Sequence, residues 1–237
     1  MTSGAGHQQD ALADWLRVRT RISWPSWSST RPDAGAPARD GFRDFFTTTR
    51  GSRDPEGTER VLTALDLARA DAARGESLSF ALMANWQRTV LRRTTPGFRT
   101  TPAFAKGGRE RYGLAPDTQV RFAHCLSEST QAGLSLPARA ARTYLDVLFF
   151  HPFEDGNARA AMLALAFVLA REDVALDQVH PLHVTRWADD AEGSADLAVL
   201  LGILLTTAER RASNGGHHGP APQTQRSRPV FRPDGIS

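Results

Sequence analysis

Within nine residues, His151-Pro152-Phe153-Glu154-Asp155-Gly156-Asn157-Ala158-Arg159, the sequence gathers an imidazole, two carboxylates, an amide and a guanidinium. His151 can take up a proton near neutral pH and so can act as a general base. Asp155 is a hard oxygen ligand of the kind Mg2+ prefers, and Mg2+ commonly arrives with the phosphates of a nucleotide. Gly156, Asn157 and Ala158 stand where a helix opens, and the backbone N–H groups of such a terminus attract phosphate. Arg159, in the first turn, adds a guanidinium able to grip a phosphate through two parallel hydrogen bonds. Phe153 has the opposite character and reads as a plug that fixes the loop to the core. Taken singly, each polar residue has an ordinary reading as a helix cap, a turn or half of an ion pair. Their joint occurrence describes a phosphoryl- or nucleotidyl-transfer site.

Such a loop needs rigid elements on both sides, and the flanking pattern supplies them. A helix over 137–150 leads into His151. The next, over 158–169, is apolar almost all round, the mark of a helix buried in the middle of a bundle. Earlier, 11–18 predicts a short helix, and 31–40 is rich in turn residues. Asp54 reads as an N-cap, Pro55 as a first-turn residue and Gly75 as a stop, enclosing the stripe Val61, Leu62, Leu65 and Ala68. Helices follow over 79–93, burying Phe80, Met83, Trp86 and Val90, and over 117–132, with Val120, Ala123 and Leu126 inward. A last helix spans 195–211, capped by Ser194. One segment breaks this rhythm: Gly107-Gly108 between the short runs 98–104 and 109–112 predicts a β-hairpin. Pro102 cannot donate to a strand ladder, so this hairpin belongs at an exposed edge. The expected architecture is all-α, a helical bundle with one β-hairpin flap. Residues 1–53 form a partly ordered arm, 54–212 the domain and 213–237 a disordered tail.

Composition narrows the function class. The chain has 237 residues, 41% of them apolar, and 29 Lys and Arg against 26 Asp and Glu give a net charge of +3. That balance is too mild for nucleic acid, which calls for clustered cations. No uninterrupted apolar run approaches the ~18 to 20 residues of a membrane span, and the first ten residues lack a signal-peptide pattern. A cytoplasmic protein without membrane or nucleic-acid partners is expected. Cys125 is the single cysteine, which rules out an intrachain disulfide and cysteine-based metal clusters and reads as a buried thiol. His180-x-x-His183 lacks a complete metal-ligand set around it in the sequence.

The run from His151 to Arg159 resembles the Fic (Fido-domain) signature, His-x-Phe-x-Asp/Glu-Gly-Asn-Gly/Lys-Arg. Pro96-Gly97-Phe98-Arg99 and the hairpin after it look like the family's target-docking flap, and 144–170 looks like its two central helices. The resemblance extends over about 76–211. It implies a protein adenylyltransferase that moves AMP from ATP to a Ser, Thr or Tyr hydroxyl of a target protein, with Mg2+ as cofactor. By that resemblance His151 would deprotonate the target hydroxyl, and Asp155 would hold Mg2+. Gly156, Asn157 and Ala158 would receive the α-phosphate and Arg159 the β-phosphate. The flap, Thr100, Thr101, Pro102, Ala103 and Phe104, would clamp the target backbone. An antitoxin-like regulator is a partner class known in the family.

The sequence also departs from the family. Ala158 stands where most adenylylating members have Gly. Met162 stands where they usually carry a second Arg that holds the γ-phosphate, so either Arg99 or Arg142 substitutes or the donor differs. Transfer of phosphate, UMP or phosphocholine is therefore an alternative, as is a degenerate Fic fold serving as a binding module. Ser52 to Gly57 matches the family's inhibitory pattern, Ser/Thr-x-x-x-Glu-Gly/Asn, which makes Glu56 a candidate inhibitory residue. Glu56 is also the acidic first-turn residue that a helix dipole favours, and that reading carries more weight.

Overall fold

The computed structural model describes residues 9–27, 37, 39–94 and 96–215. Two helices form its centre: α6 (Leu136–Phe150) and α7 (Asn157–Ala170), joined by the six residues from His151 to Gly156 and packed along each other. Around them stand α1 (Ala11–Arg19), α2 (Gly41–Arg50), α3 (Pro55–Ala73), α4 (Phe80–Leu91), α5 (Thr118–Ser127) and α8 (Ala191–Gly215). Helix α3 packs on α7, and α8 packs on α6. From Ala160 to Leu169 every residue of α7 is buried. Each of its Leu, Phe and Met side chains withdrawn from water contributes about 1.5–3 kcal/mol. The helix that opens at the chemical loop is thus anchored from its second turn onward.

The hairpin is present. Strand β1 (Ala103–Ala105) pairs antiparallel with β2 (Glu110–Tyr112), in the register Ala103 to Tyr112 and Ala105 to Glu110. Lys106, Gly107 and Gly108 all carry positive φ, and the two glycines adopt that conformation without a Cβ penalty. Among the described residues no strand pairs with the outer edge of β1. The far edge of β2 meets a single bridge from Asp10, whose carboxylate also accepts from Gly113 N at 2.8 Å.

Several sequence expectations are corrected. Helix α2 was not foreseen, yet Asp40 caps it by accepting from Phe42 N and Arg43 N, and Phe42, Phe45 and Phe46 supply a buried stripe at helical spacing. Helix α5 ends at Ser127, and a 3-10 turn (Glu128–Thr130) follows it. Its inward face is Thr118, Phe122, Cys125 and Leu126, while Val120 is 71% exposed and Ala123 is exposed. The larger Phe122 ring decides the rotation of the helix. Ser194 lies inside α8 rather than at its cap. The cap is Asp190, whose carboxylate accepts from Gly193 N at 2.8 Å, while Ser194 Oγ donates back to Asp190 O. Helix α8 continues to Gly215, through the first residues of the expected tail, and 216–237 lie outside the described residues. By length and composition α8 could cross a membrane, but its Leu197, Ala198, Leu201 and Leu205 are buried within the bundle. The arm packs through its tryptophans: Trp15 is fully buried, and the Trp27 ring lies over Gly202, where any Cβ would clash.

Candidate active site

The loop between α6 and α7 forms one wall of a cleft of about 730 Å³, and the hairpin forms the other. The cleft brings together His151, Asp155, Gly156, Asn157, Ala158 and Arg159 with Thr101, Pro102, Ala103 and Phe104. Thr100 precedes the strand and is not among the lining residues. Phe104, 58% exposed, presents its ring outward from β1.

His151 ends α6 in a left-handed conformation, with φ 46 and ψ 56. That backbone is costly for a residue with a Cβ, by roughly 1–2 kcal/mol, and it turns the ring away from the helix. Two contacts then hold the ring. Its Nδ1 lies 2.5 Å from Leu148 O, and its face stacks on Tyr112 with centroids 4.6 Å apart. A carbonyl oxygen only accepts, so Nδ1 carries the proton and Nε2 is left as the acceptor. Burial lowers the pKa of His151, against an opposing contribution from the Leu148 hydrogen bond, and Arg99 lowers it further. A neutral ring with a bare Nε2 is the form a general base requires.

Side-chain contacts around the cleft hold the loop in place. Phe153 is buried and stacks on Phe80 at 5.2 Å. The Asn157 side chain returns to the same residue: Oδ1 accepts from Phe153 N at 2.9 Å and Nδ2 donates to Phe153 O at 2.8 Å. The amide therefore clips the loop, and the backbone N–H is what Asn157 offers at the helix opening. The first intrahelical bond is Ala160 N to Gly156 O, so the N–H groups of Asn157, Ala158 and Arg159 precede the helical ladder. Gly156 caps the helix with φ 79, and its carbonyl accepts from Gln87 Nε2 at 3.0 Å. Arg99 clamps the opposite side. Its guanidinium donates to Phe150 O, Thr101 O and Gly113 O, at 3.2, 2.8 and 2.5 Å.

Asp155 is exposed, accepts from Gly156 N at 2.6 Å, and pairs with Arg159 Nη2 at 3.3 Å. Among the described residues no group of three or more His, Cys, Asp or Glu gathers into a metal cage. A single exposed carboxylate beside an anion nest fits Mg2+ shared with a ligand's phosphates, since Mg2+ is usually bound by one or two carboxylates plus phosphate oxygens. Met162 is buried in α7 and offers no charge. Of the two suggested substitute cations, Arg99 lines the cleft but its guanidinium is engaged by three carbonyls, and Arg142 lies elsewhere, bonding Glu128 O and Gln131 Oε1. Glu56 pairs with Arg60 at 3.6 Å and Arg92 at 3.3 Å and is not among the cleft's lining residues. His180 and His183 flank the Phe45 ring, and His180 bonds Thr48.

Residues 77–169 match the model of the Fic/DOC family. That segment is similar to the family. It runs from just before α4 to the end of α7 and so contains the hairpin, the loop and both central helices. Solved structures agree with the fold. A Fic-domain-containing signalling protein from Bacteroides thetaiotaomicron is 19% identical, over 73% of this chain and 80% of that one, with a TM-score of 0.51. IbpAFic2 covalently tethered to Cdc42 is 13% identical over 81% and 70%, with a TM-score of 0.53. An IbpAFic2 variant in complex with adenylylated Cdc42 is 13% identical over 86% and 70%, with a TM-score of 0.51. No curated protein matches the chain by sequence. Around the Fic segment, α1 to α3 and α8 complete the bundle. Sequence reasoning overlooked Tyr112, Gln87 and Glu110. Gln87 carried a readable signal, an amide beside Trp86 on the buried stripe of α4. Tyr112 and Glu110 carried none, because a three-residue strand has no pattern to interpret.

Proposed function

We propose that this protein is a Fic-type transferase that moves AMP from ATP onto a hydroxyl side chain of a target protein. The observation that carries the reading is the tautomer of His151, with Nδ1 bound to Leu148 O and Nε2 left as an acceptor beside the opening of α7. In this reading Nε2 takes the proton of the target hydroxyl as its oxygen attacks the α-phosphorus, and pyrophosphate leaves. The N–H groups that open α7 receive the phosphate oxygens, and Arg159 turns from Asp155 to the phosphate chain. Asp155 holds Mg2+, which supplies charge neutralisation to the phosphates when bound. The outer edge of β1 receives an extended stretch of the target, whose backbone extends the hairpin. The complexes of IbpAFic2 with Cdc42 support a protein as the target class.

A second reading concerns the donor. Met162 is buried, and Arg99 and Arg142 are bound elsewhere, so Arg159 is the loop's one guanidinium for a phosphate chain. This favours a donor that demands less charge at its far end than a triphosphate, as CDP-choline does in phosphocholine transfer, over the phosphate and UMP alternatives. Intact-mass spectrometry of a target mixture with Mg2+ and ATP, GTP, UTP or CDP-choline separates the readings. A shift of one AMP that vanishes in His151→Ala supports the first, and a shift only with another donor supports the second. No binding of any donor by calorimetry would overturn both in favour of a binding module.

A further inference from the structure

The residue against which His151 is stacked is itself held by a buried charged network on the inner face of the hairpin. Glu110 and Tyr112, two apart on β2, both point inward and are buried. Glu110 Oε2 accepts from the Tyr112 hydroxyl and from Lys106 Nζ, and Oε1 accepts from Ala188 N at 3.0 Å. Lys106 is in turn enclosed by the rings of Trp187 at 4.4 Å and Phe149 at 5.4 Å. Every member has partners, so the network cannot rotate without leaving a buried charge uncompensated.

The hydrogen bond to Leu148 O is a single contact at one edge of the His151 ring and leaves the ring free to tilt about it. The near-parallel Tyr112 face, at 20°, removes that freedom. We propose that Tyr112 is a positioning residue for His151, fixed by Lys106 and Glu110, so that the hairpin sets the orientation of the base as well as the path of a target. The inference rests on the reading of His151 as the base. It divides the hairpin's labour: β1 faces the cleft, while the inner face of β2 orients the base. A hairpin displaced by a badly fitting target would then misalign the base, coupling target choice to catalysis.

The charged groups that face His151 are Arg99 ahead of the hairpin, Lys106 and Glu110 on it, and Asp155 and Arg159 in its own loop. Burial lowers its pKa first, and Arg99 and Lys106 add to that while the Leu148 bond and Glu110 oppose it. Removing the Tyr112 ring admits water and moves the titration up towards the ordinary histidine value of about 6.5.

The test is 15N NMR of the full chain, with the His151 signal assigned by its loss in His151→Asn, in the wild type, Tyr112→Phe, Tyr112→Leu and Lys106→Met. The wild type and Tyr112→Phe, which keeps the ring, should hold the Nδ1–H tautomer. Tyr112→Leu should show mixed tautomers and an upward titration. Its kcat should fall about 10- to 100-fold, as small misplacements of reacting groups do, with donor KM nearly unchanged. An unchanged tautomer and titration in Tyr112→Leu, with only a lowered Tm, would overturn the proposal. Should that variant not fold, Lys106→Met decides: with Glu110 no longer held by the cation, the Tyr112 ring should loosen and His151 should show mixed tautomers, and an unchanged tautomer overturns the proposal. Transfer that survived His151→Ala would remove the base reading alone, since tautomer and titration are read without activity.

Discussion

Helix α6 meets titratable groups at two places, and they behave differently. At its middle, Asp146 is wholly buried and accepts from Trp15 Nε1 at 2.9 Å and from Arg19 Nε and Nη2 at 2.7 and 2.9 Å. Arg19 also reaches Glu128, which in turn meets Arg142. Burial alone would lower the Arg19 guanidinium, but Asp146 outweighs it and the net shift is upward. Burial pushes the neighbouring Cys125 thiol up to about 12, so it stays protonated and unreactive. These charges face one another, and together they tie α1 and the 3-10 turn to α6. At the helix's end the arrangement opens outward. His151 has one nitrogen bound and one left for the cleft, Asp155 is exposed, and three N–H groups precede the ladder of α7. Both regions are rich in titratable groups. What separates a structural network from a candidate active site is the direction in which the polar atoms face.

Breaking each region should therefore produce opposite phenotypes. His151→Ala should reduce transfer by about 10²- to 10⁴-fold, the usual contribution of a general base, while leaving the thermal midpoint close to the wild type. His151→Asn sharpens the test, because Asn tolerates the left-handed backbone. Asp146→Ala should do the reverse. It leaves Arg19 buried without its main partner and should cost about 3–5 kcal/mol by urea denaturation, with the transfer rate per folded molecule preserved. A loss of transfer in fully folded Asp146→Ala would show that the two ends of α6 are not independent.

Gly156→Ala probes the loop between these extremes. The residue has φ 79, and an added Cβ would lie 3.1 Å from both Arg159 Nη2 and Gln87 Nε2. Backbone strain of roughly 1–2 kcal/mol should appear as lost stability and a higher donor KM, because the N–H groups that follow would be displaced. An unchanged KM would argue against the anion nest.

These contrasts show what the sequence disclosed and why. The loop was legible because residues four apart on a short segment must share a neighbourhood, whatever the fold, and the apolar run of α7 announced a buried helix. The hairpin was legible from Gly107-Gly108 and Pro102. The supports were not. Tyr112, Gln87 and Arg99 reach the loop from 39, 69 and 51 residues away along the chain (the last two being the separations of their hydrogen bonds), and pairings of that range leave no local pattern. Asn157, read as a phosphate ligand, offers its backbone N–H instead, its side chain being returned to Phe153 four residues back. The rotation of α5 was misjudged because Val120 and Phe122 compete for one interior, and only packing decides between them.

The pH dependence refines the same picture. Burial lowers the His151 pKa, so Nε2 stays unprotonated to lower pH than in an ordinary histidine. Transfer should hold as pH falls past about 6.5 and decline only below it, as a pH profile of kcat/KM will read. An acid limb above that value would mean that target or donor binding reverses the environment of the ring.

The smallest effect is expected at Glu56. It lies in the first turn of α3, is exposed, and pairs with Arg60 and Arg92. Exposed pairs of this kind contribute about 0–1 kcal/mol, and an acidic residue near a helix N-terminus about 0.3–1 kcal/mol. Glu56→Ala should therefore lower stability within that range. Its effect on transfer follows from Met162: an inhibitory glutamate needs a cation to hold in the donor's path, and the position that would supply one is an uncharged side chain inside the core. Transfer by Glu56→Ala should match the wild type in initial-rate measurements at saturating and limiting donor. A several-fold activation confined to limiting donor would show that Glu56 reaches the cleft by releasing Arg92, and would make the arginines at the end of α4 its partners in regulation.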